Sequence, residues 1–295
     1  MDYQESDGVK FAVQLDGSRF VLLEGPPNKI VRDYLLSSPE CSVLVRAKNN
    51  SLCEIVPDEI VEKIVALYVQ IDLDQNAAEL IGRMGRLRWL LLGENPVELD
   101  FRKLPELEEL RADWHSKWAA SIAASSLKTL AISKFPGSFK DLEIFSKMQR
   151  LEQLEFVQCQ IESLSGVQEI PNLRVLRVSY APKLRDISAL NSAKVRLETV
   201  ELGNCTKINS YEPLGQVKSL RRLILTKCSH IPSLQIFSRL EELKIITFVH
   251  TTVLDKNMRL LLHFPSLEYA GFLDCRGYNM TYKDVVGELK LRTKN

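Results

Sequence analysis

The amino-acid sequence predicts an α/β solenoid, a chain wound in stacked turns that each add one short strand to a parallel sheet. Three observations carry that expectation. A segment of the form L-x-x-L-x-L recurs, with tolerated substitutions, from Ile64, Leu87, Leu107, Leu127, Leu151, Leu173, Leu197, Leu220, Leu240 and Leu267. The average separation is about 22.6 residues, within the range of stacked repeats. Four of the six cysteines, Cys159, Cys205, Cys228 and Cys275, fall at the ninth position of such a repeat.

Each part of the repeat has a physical reason. Successive side chains of an extended strand point to opposite faces. The fourth and sixth residues therefore point inward together, and the residue between them points out. The chain must then return, and apolar residues at every third step keep one edge of the return inside: Leu184, Ile187 and Leu190 in one turn, Ile231, Leu234 and Phe237 in another. That spacing suits short 3₁₀ or extended pieces better than a full α-helix.

The stretch that begins Leu151-Glu-Gln-Leu154-Glu-Phe156-Val-Gln-Cys159 and restarts at Leu173 resembles a leucine-rich repeat of the internalin-like kind, with repeats of about 22 residues. The resemblance covers roughly residues 61–276. It implies a horseshoe with a parallel concave β-sheet, short convex segments and atypical end caps. It also implies that the ninth residue, usually Asn or Cys, points inward and bonds loop backbone between turns. Asn95 fits this role and Asp72 occupies the place in the first turn, whereas His115, Phe135, Ala181 and Phe248 break the series.

Residues 1–60 lie outside the repeat. Residues 10–15 and 19–23 flank Asp16-Gly17 and read as a hairpin, because a D-G pair favours the left-handed backbone of a tight turn. Asn28 is positioned to cap a short helix through Leu36. Residues 41–45 and 52–56 read as a second hairpin. Since the end of a stack exposes an apolar face that must be covered, this segment is expected to be a cap, with a small binding module as the rival. Residues 277–295 are expected to close the far end through a short helix or a strand pair, with a loose tail. The interval from Leu240 to Leu267 is an apparent 27-residue turn lengthened by residues 248–263, in which 255–263 are placed to form a convex helix.

Net charge is +1 in 295 residues, so no overall basic field draws in nucleic acid or an acidic membrane. No apolar run reaches a membrane span, and the N-terminus has no signal-peptide core, so the expected location is cytoplasmic. The sequence contains no nucleophile elbow, phosphate loop or dinucleotide fingerprint, and its histidines are scattered over different turns. No catalytic residues, metal ligands or cofactors are expected.

Function is therefore expected on the outward strand positions. Glu152, Arg174, Glu198, Arg221 and Glu241 alternate in sign at the second position, and Glu155, Arg177 and Glu201 at the fifth. Neighbouring strands are close enough for these to pair with one another. Aromatic residues stand out more, since Trp, Tyr and Arg dominate many binding surfaces. The candidate partner-binding residues are Trp89, Glu94, Arg111, Asp113, Trp114, Lys134 and Tyr180, with burial in an irregular return as the alternative for Trp114 and Trp118. The expected function is a monomeric, non-catalytic protein-interaction module, an adaptor or scaffold. The alternative is an inhibitor or immunity protein that blocks a toxin or other enzyme. Nucleic-acid binding is disfavoured by the alternating charges.

Overall fold

Alternation within each L-x-x-L-x-L segment decides the architecture. The computed structural model describes residues 1–47, 50–94, 96–192 and 194–292. They form two compact units, Met1–Ile132 and Ser133–Asn295. In each, strands follow one another through a sheet in chain order.

The first unit opens with β1 (Asp2–Ser6), β2 (Val9–Val13) and β3 (Arg19–Leu23). These pair antiparallel, with Phe11 opposite Val21 in the expected hairpin. β1 has no apolar alternation, and its side chains are all exposed. What makes it is a second D-G turn, in which Asp7 and Gly8 both take positive φ (51° and 76°), the backbone of a tight hairpin turn. The helix α1 (Lys29–Ser37) is capped as the sequence suggests, Asn28 Oδ1 accepting from the Val31 amide at 3.0 Å.

The second expected hairpin is a correction. β4 (Cys41–Val45) runs parallel to β3, and residues 52–55 form the short helix α2 (Leu52–Ile55). Ser51 and Glu54 make a capping box, with Glu54 accepting from the Ser51 amide at 3.1 Å. A capped turn satisfies its own backbone, so the V/I content of 52–56 does not make a strand. The Lys48–Asn49 part of the supposed turn lies outside the described residues. Parallel pairing continues through β5 (Ile64–Val69), β6 (Trp89–Leu92) and β7 (Glu109–Asp113). β8 (Thr129–Ser133) ends at the unit boundary. Helix α3 (Gln75–Gly82) makes the return after β5, its first turn capped by Asp74.

The second unit is more regular. Its strands are β9 (Gln153–Val157), β10 (Val175–Ser179), β11 (Thr199–Gly203), β12 (Arg222–Thr226), β13 (Ile245–Thr247) and β14 (Tyr269–Gly271). Short 3₁₀ pieces such as Val167–Glu169, Leu214–Gln216 and Leu234–Phe237 make the returns, as three-residue spacing predicts. Leu154, Phe156, Leu176, Val178, Val200 and Leu202 are buried at 0–1% exposure, each Leu or Val contributing about 1.5–3 kcal/mol by leaving water. Helix α4 (Tyr282–Arg292) packs against β14 and buries Val285 and Leu289, so of the two closures the sequence allows, the helix is the one present.

The register corrects one start. Arg222 pairs with Ile245, and Ile245 with Tyr269, so the repeat led by Leu220 is followed by one led by Leu243, not Leu240. The apparent 27-residue turn therefore does not exist, and the intended convex helix is the 3₁₀ piece Met258–His263. The amides of Lys244 and Ile245 both donate to the Arg221 carbonyl, just as those of Arg221 and Arg222 share Glu198 and those of Glu198 and Thr199 share Arg174.

The bends repeat as closely as the strands. The eighth residue of each of these turns is left-handed: Lys134, Gln158, Tyr180, Asn204, Lys227 and His250 all have φ between 51° and 56°. Five of these amides donate to the next turn, Lys134 to Val157, Gln158 to Ser179, Tyr180 to Gly203, Asn204 to Thr226 and Lys227 to Val249. The ninth residue then turns inward. Cys205 Sγ donates to the Val178 carbonyl at 3.6 Å and Cys228 Sγ to Leu202 at 3.2 Å. With Leu243 as the leader, Thr251 takes this place and Phe248 becomes the inward sixth residue of the repeat, just past β13 and buried at 1% exposure. Cys275 departs from the expected role, because its side chain is exposed. Asn95 lies outside the described residues.

Candidate functional site

Trp89 sits on the strand face turned away from the core of the first unit. It is the third residue of its repeat, so alternation points it outward, opposite Ala66 on one side and Glu109 on the other. Its ring lies 5.3 Å from Phe20 and 6.4 Å edge-on from Tyr68, both distances typical of favourable aromatic pairs. Beside them, Ala12, Phe20, Leu22 and Leu44 form a buried cluster against which Ala66, Tyr68 and Trp89 pack, Leu22 and Leu44 standing in the cross-strand row of Tyr68. The outward direction of Trp89 follows from strand parity, whereas its packing against Phe20 and Leu44 does not, because these belong to β3 and β4, outside the recognised repeat. Leu91, two residues on, shares the same face and is half-buried.

Polar groups border this apolar patch. Arg111 is opposite Leu91, and its Nε donates to Glu109 Oε1 at 2.6 Å on the same strand face. Asp113, half-buried, is the next outward residue of β7. Tyr68 accepts from Gln70 Nε2 at 2.6 Å through its hydroxyl. That pair lines a groove of about 450 Å³ with Ala47, Asp72 and Glu94, and Glu94 itself is exposed. Trp89, Tyr68, Arg111 and Glu94 are thus neighbours in one unit.

Trp114 is not part of this surface. It is buried at 9% exposure, 6.1 Å from Trp118, which is fully buried. Trp118 packs on Phe101 at 5.4 Å and donates its indole N–H to the Val97 carbonyl at 2.9 Å. The 3₁₀ pieces Ser116–Ala120 and Ile122–Ala124 fold this return inward and take both indoles into the core. Lys134 and Tyr180 belong to the second unit, where both are exposed left-handed corner residues. Tyr180 is 56% exposed.

The outward charges of the second unit pair across strands. Arg174 lies 3.9 Å from Glu198, Arg177 3.4 Å from Glu201, and Lys244 2.8 Å from Glu268. Arg221 departs from the simple row by joining Glu242 at 3.2 Å, and Glu242 directly precedes the leading Leu243. Exposed pairs of this kind contribute about 0–1 kcal/mol each. Among the described residues no three His, Cys, Asp or Glu side chains come together as a metal site, and no helix is long and apolar enough to cross a membrane.

No protein-family profile matches this sequence, and no match is found among curated proteins. Solved structures do match. An internalin (inlF) of Listeria monocytogenes superposes with a TM-score of 0.57 at 13% identity, covering 92% of this chain and 84% of that one. Internalin C2 of the same organism gives 0.49 at 16% identity over 76% of this chain and 87% of its own. A chain of the TLR13–ssRNA13 complex gives 0.53 at 17% identity, covering 85% of this chain but only 41% of its own. With the repeated strands and 3₁₀ returns, the likeness to the first internalin establishes the fold as a leucine-rich-repeat solenoid.

Proposed function

We propose that this leucine-rich-repeat protein is a non-catalytic interaction module whose first unit grips a protein partner through the strand face centred on Trp89. The observation that supports it is the half-buried aromatic pair Trp89–Tyr68, packed against the Phe20 cluster and flanked by Arg111. Rigid aromatics packed against an apolar cluster, with a polar border, match the make-up of binding hot spots. An intracellular adaptor or scaffold is the preferred role. The thiols of Cys205 and Cys228 serve as hydrogen-bond donors in the bends, which suits a reducing compartment. Residues 1–60 then act as the cap of residues 61–276, and residues 277–295 as the opposite closure.

An inhibitor of a toxin or other enzyme uses the same face but is distinguished by a tight, stoichiometric complex that silences one enzyme. The RNA in the TLR13 complex raises nucleic acid as a third reading. The paired Arg111–Glu109 beside Trp89 disfavours it here, because phosphate recognition needs unneutralised cations. Affinity capture with wild type, Trp89→Ala and Arg111→Ala tests the proposal. Loss of a discrete protein band in both variants supports it, and unchanged recovery removes the Trp89 face.

A further inference from the structure

The bends of the second unit have a charge pattern unlike its strands. Residues 158–161, 180–183, 204–207, 227–230 and 250–253 contain Lys183, Lys207, Lys227, His230 and His250, and no Asp or Glu. All five side chains are exposed. Among the described residues, Lys183, Lys207 and Lys227 make no ion pair, whereas cations on the strand side are joined to carboxylates in Arg174–Glu198, Arg177–Glu201 and Lys244–Glu268. Glu162, which directly follows the first of these bends, is already held by Arg185 at 2.6 Å and by Lys140 at 3.8 Å. Asp274, the eighth residue of the last turn, ends the strip.

This segregation is built by the fold. A left-handed corner brings the eighth to eleventh residues of successive turns to one edge of the unit, and parallel strands set those turns ~4.8 Å apart. Lys183 and Lys207 hold the same place in consecutive turns, and His230 the next. Lys227 follows Asn204 and Tyr180 in the row of corners.

We propose that this carboxylate-free edge is a second docking surface, one that takes an acidic protein segment. Charge complementarity names the sign of the partner, and two observations favour a run of Asp or Glu over a nucleic acid. The corner amides of Tyr180, Asn204 and Lys227 are all committed to the ladder, so they cannot cradle phosphates. Single-stranded nucleic acid is gripped by successive large aromatic platforms, and in these five bends Tyr180 is the only Phe, Tyr or Trp. Lysine heads on flexible stems suit the irregular spacing of side-chain carboxylates. The surface is independent of the Trp89 face, and each can fail without the other.

The test is fluorescence anisotropy of the full chain with labelled oligo-glutamate, and with a single-stranded oligothymidylate of matched charge, at low and physiological ionic strength. The variant Lys183→Gln/Lys207→Gln/Lys227→Gln is compared with Lys218→Gln/Arg239→Gln/Arg259→Gln, an equal charge change at exposed sites on the return side. The expected result is oligo-glutamate binding that the first variant weakens on the order of tenfold and the second leaves unchanged, with stronger binding at low salt. If the first variant melts below wild type, Lys207→Gln alone is read in the same assay. Equal weakening by both sets, tighter binding of the oligothymidylate, or no peptide binding at low salt overturns the proposal.

Discussion

Thr251 accepts a hydrogen bond from the Cys228 amide at 3.0 Å and donates its hydroxyl to the Leu225 carbonyl at 3.1 Å. One buried side chain thus closes two backbone groups of the preceding turn. Thr251→Val keeps the shape and removes both bonds, leaving a buried amide and carbonyl unsatisfied. The expected loss is about 1–3 kcal/mol in denaturant unfolding, while Thr251→Cys, which restores a donor, recovers part of it.

At Gly166 and Gly215 the returns of successive turns approach too closely to leave room for a side chain. A Cβ on Gly215 meets the Ile236 carbonyl oxygen at 2.1 Å, and one on Gly166, whose φ is 96°, meets the backbone of Leu142 and Glu143 at 2.6 Å. Gly215→Ala is expected to lower the melting temperature sharply. Gly287→Ala in α4, where nothing lies within 4 Å, is expected to match or exceed wild type.

Thiol labelling of the native chain should modify Cys53 and Cys275, which are exposed, and spare Cys41, Cys159, Cys205 and Cys228, which are buried. Labelling in denaturant should reach every cysteine. Rapid native modification of Cys228 contradicts its place in the bend.

Burial pushes the Cys159 thiol up to about 11 from its ordinary 9.0. The folded state therefore holds its proton over a range in which the unfolded chain has released it. The stability from this group is complete below about pH 9 and declines as pH rises toward 11. Burial raises the Tyr211 hydroxyl in the same direction. Unfolding free energy measured across this range should fall with pH, and Cys159→Ala should flatten the fall.

The repeat was legible because strand alternation and three-residue returns both write themselves into apolar spacing. Where two registers satisfy that spacing, the apolar pattern cannot choose. Leu240 and Leu243 both begin acceptable segments and both are fully buried. The left-handed His250 and the inward Thr251 decide between them, and small polar residues carry a weaker signal than leucines. β1 escaped notice for the opposite reason, its strand being set by the Asp7-Gly8 turn with no buried side chain. Of the candidate site, Trp89 and Arg111 were readable from strand parity. Trp114 was not, because parity ends where β7 ends and the return that buries it follows no period.

The central claim is that the Trp89 face is where a protein partner sits. A photocrosslinking amino acid placed at Leu91, on that face, or at exposed Gln235, on a return, reads this directly in cells of the source organism. The account predicts a discrete protein adduct from the Leu91 position that disappears when Trp89→Ala is added, and none from Gln235. Adducts from Gln235 alone, or a Leu91 adduct indifferent to Trp89→Ala, would contradict it.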